Sequence, residues 1–244
     1  MQTQMVETEL GTFAVPAALG PIERNLAKGR VQDPHVVDFV ARFARPGSIV
    51  LDVGAYTGVM TVAMARRCPD TIIYAYEANP EIYELLAGNL RRNQIANVRP
   101  VHMAVYDGTC DELCFPDTNA GYIEGNDNYA AFGVDPELHD ASYMVPAGAL
   151  DAQGYTAPVS VIKIDAQGAD LHVMRGAERI MREQRPHVVF EFAPRAKMTV
   201  RDGKDYNPFI GVLWSDYEEF TASVNYRLEN VACLDFAAIP QACS

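Results

Sequence analysis

Residues 49–58 read Ile49-Val-Leu-Asp-Val-Gly-Ala-Tyr-Thr-Gly58, and about one helix length later comes Tyr74-Ala-Tyr-Glu-Ala-Asn-Pro80. The first stretch is an apolar run that ends on Asp52 and breaks into a loop held between Gly54 and Gly58; the second is an apolar run that ends on Glu77. Short apolar runs bounded by glycine and proline mark strands buried on both faces. Strand, glycine turn, helix and strand in that order build a ligand crevice, because an open parallel sheet binds its ligand beyond the carboxyl ends of its strands. Asp52, Gly54, Gly58 and Glu77 all fall at such ends, so the order predicts a nucleotide-cofactor site.

The glycine spacing selects the nucleotide. A dinucleotide loop needs G-x-G-x-x-G so that the amino end of a helix can approach a pyrophosphate. Here Ala-Tyr-Thr separates Gly54 from Gly58, and no further glycine follows before Arg66. S-adenosylmethionine carries no phosphate. It presents a sulfonium, an ammonium and two ribose hydroxyls, and a carboxylate at the end of the second strand can accept both hydroxyls. Glu77 suits the ribose, while Asp52 and the backbone of residues 54–58 suit the methionine end. The plainer reading makes Asp52 and Asn79 turn caps and Gly58 a point of close helix packing.

Outward from this stretch, apolar runs and helical periodicity alternate, the pattern of a parallel sheet with crossover helices. Residues 33–44 read as an amphipathic helix closed by Pro46-Gly47. Strands are expected at 48–53, 71–76, 98–105, 159–164 and 187–192, and helices at 58–67, 80–92 and 168–183. A helix carrying Trp214 and Phe220 then leads to two closing strands, 224–228 and 231–236. Residues 110–151 break the rhythm with Tyr122, Asn126-Asp-Asn-Tyr129, His139 and Tyr143 among short strand-like runs. Recognition is often carried by loops on a rigid scaffold, so this segment is read as an acceptor lid, with a plain β extension of the sheet as the alternative. The fold class is therefore α/β, a doubly wound Rossmann-like sheet with a closing antiparallel hairpin and a β-rich insertion. Residues 1–244 form one domain on this reading, with residues 1–45 as an N-terminal cap.

A family resemblance runs through the same residues. Phe13-Ala-Val-Pro16, Asn25-Leu-Ala-Lys-Gly29, Pro46-Gly-Ser-Ile-Val-Leu-Asp-Val-Gly-Ala55, Val161-Ile-Lys-Ile-Asp-Ala-Gln-Gly-Ala-Asp170 and Phe190-Glu191 follow in the order of FkbM-type methyltransferases, which the chain resembles over most of its length. The Lys-Ile-Asp-x-x-Gly-Ala segment is the specific part; the glycine loop alone would point only to a class I methyltransferase. One position departs from the family pattern, Gln167 standing where the family usually has Glu. The resemblance implies S-adenosylmethionine as cofactor and O-methylation of a hydroxyl on a sugar, polyketide or other small metabolite. The expected donor-binding set is Asp52, Gly54, Ala55, Tyr56, Thr57, Gly58, Glu77, Asn79, Ala104, Val105 and Asp165.

Composition narrows the partners. With 244 residues and 49% hydrophobic content, one sizeable core is the natural expectation. Lys+Arg 20 against Asp+Glu 32 gives a net charge of -12, which repels a phosphate backbone, so nucleic acid is not an expected acceptor. Arg66-Arg67 and Arg91-Arg92 sit near helix ends, where cations meet the helix dipole favourably. No apolar run is long enough to span a membrane, and the first residues lack a secretion signal, so a cytoplasmic location is expected. The five cysteines include no C-x-x-C pair and read as free thiols, and no metal site is expected. His102, Cys110 and Cys114 offer an outside metal set, against the commoner half-buried strand cysteine. A homo-oligomer is compatible with all of this.

Methyl transfer is an in-line displacement, so the protein must position donor and acceptor and help the acceptor lose its proton. Asp165 ends one strand and Glu191 lies near the end of the next. If both face the crevice, their repulsion should raise the pKa of one of them. Asp165, expected to face the sulfonium end, is the candidate base, with Glu191 and Gln167 as neighbours; the plainer reading makes Asp165 a helix cap. Lys163 is expected to pair with a carboxylate. His35, His102, His139, His172 and His187 lack ligand spacing and read as surface or packing residues, with His35 and His139 as outside candidates. Two readings compete: a nicotinamide-dependent oxidoreductase, which lacks its third glycine, and a non-catalytic S-adenosylmethionine binder, for which Gln167 is the only support.

Overall fold

The computed structural model describes residues 1–17, 20–116, 142–193, 198–199, 205–206 and 212–242. The chain opens with an antiparallel hairpin, β1 (Thr3–Thr8) and β2 (Gly11–Pro16), followed by a short helix α1 (Pro21–Leu26) and the amphipathic α2 (Pro34–Phe43). The main run then alternates β3 (Ile49–Val53), α3 (Val59–Arg67), β4 (Ile72–Glu77), α4 (Pro80–Arg92) and β5 (Val98–His102). A small sheet follows, made of β6 (Ala104–Val105), β7 (Glu112–Pro116) and β8 (Ser142–Gly148) in the order β6-β8-β7. The alternation resumes with β9 (Val159–Ile164), α5 (Asp170–Arg175), α6 (Glu178–Gln184) and β10 (His187–Glu191). The short β11 (Met198–Thr199) and β12 (Asp205–Tyr206) pair with each other. Helix α7 (Trp214–Ser223), β13 (Tyr226–Ala232) and β14 (Asp235–Pro240) close the chain.

The central sheet runs β13-β14-β10-β9-β3-β4-β5. Its five inner strands from β10 to β5 are joined by four parallel pairings, β10 to β9, β9 to β3, β3 to β4 and β4 to β5, and β14 lies antiparallel to both β10 and β13. Chain order runs outward from β3 in one direction through β4 and β5, then resumes on its other side at β9. The switch point, where such sheets bind ligands, therefore lies between β3 and β9. Every residue of β3 and β9 is buried, as expected for strands covered by helices on both faces. One apolar cluster joins Leu51, Ile162, Ile164, Val173, Ile180 and Tyr217, and another joins Phe13, Val37, Val40, Val50, Val62 and Leu86. The doubly wound α/β reading holds.

Several boundaries differ from the sequence reading. Residues 168–183 form two helices, not one, broken at Gly176, where an added Cβ would sit 2.0 Å from the Tyr106 carbonyl oxygen. The expected strand 98–105 stops at His102; Met103 N donates to the Glu77 carbonyl, and the chain then leaves β4 to pair with β8. The closing strands lie a few residues further on, turning at Cys233, which has φ 47°. The hairpin β1–β2 was not among the expected strands. Of the acceptor-lid residues, Tyr122, Asn126-Asp-Asn-Tyr129 and His139 lie outside the described residues, whereas Tyr143 is on β8 opposite Phe115 of β7. The described part of that insertion pairs with β6 in a separate three-stranded sheet and does not extend the central one. No helix among the described residues is long and apolar enough to cross a membrane.

Candidate active site

Gly54 and Ala55 leave β3 by donating their backbone N–H groups to the Tyr76 carbonyl, 3.0 and 2.9 Å away. Gly54 has φ 75°, and a Cβ there would lie 1.9 Å from the Asp165 carbonyl oxygen, so no other residue lets this turn press against the end of β9. Tyr56 follows with φ 51°. Its N–H donates to Glu77 Oε2 at 2.9 Å, and Asn79 N–H donates to Glu77 Oε1 at 2.8 Å. Asn79 also caps α4 by accepting from Glu81 N and Ile82 N, which satisfies two otherwise orphan donors. Glu77 is 8% exposed, and burial pushes its carboxyl up to about 7 despite those two hydrogen bonds and the nearby Lys163.

Beneath the loop, Lys163 Nζ lies 3.0 Å from Asp52 Oδ1 and donates to the carbonyls of Gly54 (2.8 Å) and Val53 (3.3 Å). Asp52 Oδ2 accepts from the Thr61 hydroxyl at 2.6 Å. Burial works against the Lys163 charge, but the carboxylates of Asp52, Asp165 and Glu77 outweigh it and hold its pKa above the usual lysine value. Lys163 thus braces the loop from below. Asp52, expected to meet the methionine end, is fully buried in this brace instead.

Three side chains converge above the switch point. Gln167 Nε2 donates to Asp165 Oδ1 at 2.6 Å and to Glu191 Oε2 at 3.0 Å. Burial and then the carboxylates of Asp165, Asp170 and Asp235 push Glu191 up to about 8, with the Gln167 hydrogen bond pulling the other way. Asp165 does not cap α5: the turn is pinned by Asp170, whose Oδ2 accepts from Gly168 N at 3.1 Å. Asp170 is itself buried, and its carboxyl is pushed up to about 7 by burial and then by Asp165.

Two adjoining cavities open here. The first, about 690 Å³, is lined by Gly54, Tyr56, Glu77, Asn79, Ala104, Val105, Asp165 and Gln167, with Ile82, Met103 and Phe115 supplying apolar walls. The second, about 940 Å³, is lined by Ala55 and Thr57, by Arg30, Gln32 and Asp33, and by Lys163 and Glu191. Gly54, Tyr56, Asp165 and Gln167 line both and so stand between them. Gly58, of the expected donor-binding set, lines neither; its φ of 82° starts α3, and a Cβ would meet Leu86 at 2.6 Å. Among the residues lining the first cavity there is no lysine or arginine, while Glu77 and Asp165 are acidic. That donor set fits a cationic nucleoside without phosphate, with Glu77 to hold the ribose and apolar walls for the base.

Residues 52–228 match the methyltransferase FkbM domain. The chain belongs to the FkbM methyltransferase family. Among its relatives is methyltransferase sdnD of Sordaria araneosa, 26% identical over 202 residues that cover 71% of this chain and 76% of that protein. A 75-residue stretch is 27% identical to the tRNA(Phe) (4-demethylwyosine(37)-C(7)) aminocarboxypropyltransferase of Methanocaldococcus jannaschii, covering 31% of this chain and 29% of that one. The solved FkbM methyltransferase of Methylobacillus flagellatus shares the fold, with a TM-score of 0.52 at 12% identity over 89% of this chain and 59% of the other. This FkbM methyltransferase uses S-adenosylmethionine.

Sequence reasoning missed two supports of the FkbM site. Asn89, fully buried in α4, donates from Nδ2 to the carbonyls of Thr57 and Ala14 and accepts from Ala14 N, tying the glycine loop to β2. Its signal was present: residue 89 lies seven after Ile82 and three after Leu86, on the apolar face of the helix. Glu23 of α1, also buried, accepts from the Tyr56 hydroxyl at 2.8 Å, which brings Ile22 and Leu26 over the cavities. The described histidines take structural partners: His35 pairs with Asp235 (2.6 Å), His172 with Asp107 (2.7 Å), His102 with the Ala78 carbonyl, and His187 stacks on Phe43. Asp33, His35 and Asp235 place potential ligand atoms within 4.8 Å of one another, and His35 and Asp235 already pair directly. Cys114, half-buried on β7, donates its thiol to the Met144 sulfur.

Proposed function

We propose that this methyltransferase transfers the methyl group to a hydroxyl oxygen of a small metabolite or saccharide, with the donor in the first cavity and the acceptor in the second. The observation that carries this reading is the position of Asp165, a carboxylate that lines both cavities and is 40% exposed. When bound, S-adenosylmethionine supplies an electrophilic methyl on a sulfonium sulfur, which keeps the S–C electron pair as a neutral thioether. The acceptor oxygen forms the new C–O bond and gives its proton to the Asp165 carboxylate. Glu191, with its raised pKa, holds its own proton at neutral pH and does not compete for that role. Glu77 accepts the ribose hydroxyls, and Lys163 keeps the loop and Asp165 in register.

The acidic chain, net charge -12, favours a small neutral or cationic acceptor over a polyanion. The relative that acts on tRNA(Phe) favours the opposite reading over its 75 shared residues. Incubation with methyl-labelled donor and a fractionated cell extract, followed by NMR of the labelled product, separates the two. The proposal expects an O-methyl signal on a small molecule. Label recovered in RNA, or on carbon or nitrogen, would overturn it.

A further inference from the structure

We propose that Gln167 is a positioning residue: its side-chain amide holds Asp165 and Glu191 as one hydrogen-bonded pair and thereby presents Asp165 to the acceptor. The inference rests on the O-methyl-transfer reading above and deepens it by naming what sets the base in place.

The geometry is specific to an amide. Both neighbours of the Gln167 head group are carboxyl oxygens, Asp165 Oδ1 at 2.6 Å and Glu191 Oε2 at 3.0 Å. An NH2 group donates to two acceptors at once, and it can neither take up a proton nor add a charge. A carboxylic acid at this position would bring a third ionisable group between the other two. The backbone is also committed to the arrangement. Gln167 has φ 47° and Gly168 has φ 96°, so two consecutive left-handed residues turn the chain from β9 into α5. A glutamine adopts that conformation at a cost, and such outliers persist where the surroundings hold them. The turn itself has a separate anchor in the bond from Gly168 N to Asp170 Oδ2. The Gln167 side chain is therefore free of any duty in closing the turn, and both of its recorded hydrogen bonds go to the carboxyl pair.

The charges around the pair decide where the proton sits. Glu191 faces Asp165 at the end of β9, Asp170 at the start of α5 and Asp235 at the start of β14; Asp235 in turn meets His35 and Asp33 from the α2 end. The Lys163 ammonium lies 3.9 Å from Asp165 Oδ2 and 3.0 Å from Asp52. The surrounding acids therefore favour protonated Glu191, and the Gln167 amide, which donates to both carboxyl groups, works against that rise.

The test reads the proton directly. Protein carrying 13C at the aspartate and glutamate carboxyl carbons is titrated by NMR, with the Glu191 signal assigned from Glu191→Gln. In Gln167→Ala the Glu191 midpoint should rise by roughly one pH unit, the shift expected on losing a charge-assisted hydrogen bond. In Asp165→Asn it should fall, because the nearest like charge is gone. Should Gln167→Ala not fold, the near-isosteric Gln167→Glu gives the same readout, and its third acid should raise the midpoint further. A Glu191 midpoint that stays at the wild-type value in the folded Gln167 variant, with only a lower melting temperature, would overturn the proposal. These midpoints do not depend on which acceptor is methylated. A non-oxygen product would thus defeat the O-methyl reading alone, and unmoved midpoints beside an O-methyl product would defeat the Gln167 assignment alone.

Discussion

Lys163 and Asp52 form an ion pair of 3.0 Å with side chains 5% and 0% exposed. Taking two charges out of water is costly, and removing one partner leaves the other buried without compensation. Lys163→Met should therefore lower unfolding stability in urea by about 3–5 kcal/mol, and adding Asp52→Asn should restore part of it. A loss within about 0.5 kcal/mol, as for an ordinary surface change, would show that the pair is not the brace described here.

Gly54 sets the distance between the glycine loop and β9. Alanine there must adopt φ 75° and place its Cβ 1.9 Å from the Asp165 carbonyl oxygen, so the loop must move. Calorimetry with S-adenosylhomocysteine should show donor-site affinity for Gly54→Ala reduced by at least about a hundredfold, since a shift of ~3 kcal/mol is a factor of that order. Unchanged affinity would mean that the loop does not form the donor site.

The pH dependence of donor binding follows from Glu77. Burial raises its carboxyl to about 7 in the free protein, whereas ribose hydroxyls donate to the ionised form, so binding expels a proton below that pH. Affinity should then rise by up to about tenfold per pH unit between pH 5 and 7 and level off above. Glu77→Gln should flatten the profile and weaken binding by about tenfold to a hundredfold. Folding stability has the opposite sign. Glu77, Asp170 and Glu191 are raised to about 7, 7 and 8, so their contribution is present below the ordinary carboxyl range and is lost as pH climbs through 7 to 8. Chemical denaturation of the free protein from pH 5 to 9 checks this, and Glu191→Gln should lessen the fall.

The strands that carry the site were legible because burial on both faces leaves mostly apolar runs, interrupted by Asp52 in β3 and by Ser160 and Lys163 in β9. Helix α4 was legible to the residue because Asn79 caps it and Pro80 starts it. What escaped depends on contacts between distant segments. The break at Gly176 exists because the Tyr106 backbone passes against it. β13 lies at the sheet edge, where the exposed Glu229 and Asn230 read as a turn although they lie within a strand. At the site, Glu77, Asp165 and Gln167 were visible as residues at strand ends. That Asp52 turns down to Lys163 while Asp165 turns up between two cavities is a matter of side-chain direction, which strand position alone does not give.

Single-turnover methyl transfer by Asp165→Asn, with donor affinity measured in parallel, tests the central claim. A positioned general base contributes about 10²- to 10⁴-fold in rate. The account predicts a loss of that size with S-adenosylmethionine affinity changed less than about threefold, the signature of an interaction needed only in the reaction step. A variant that transfers methyl at the wild-type rate would contradict it.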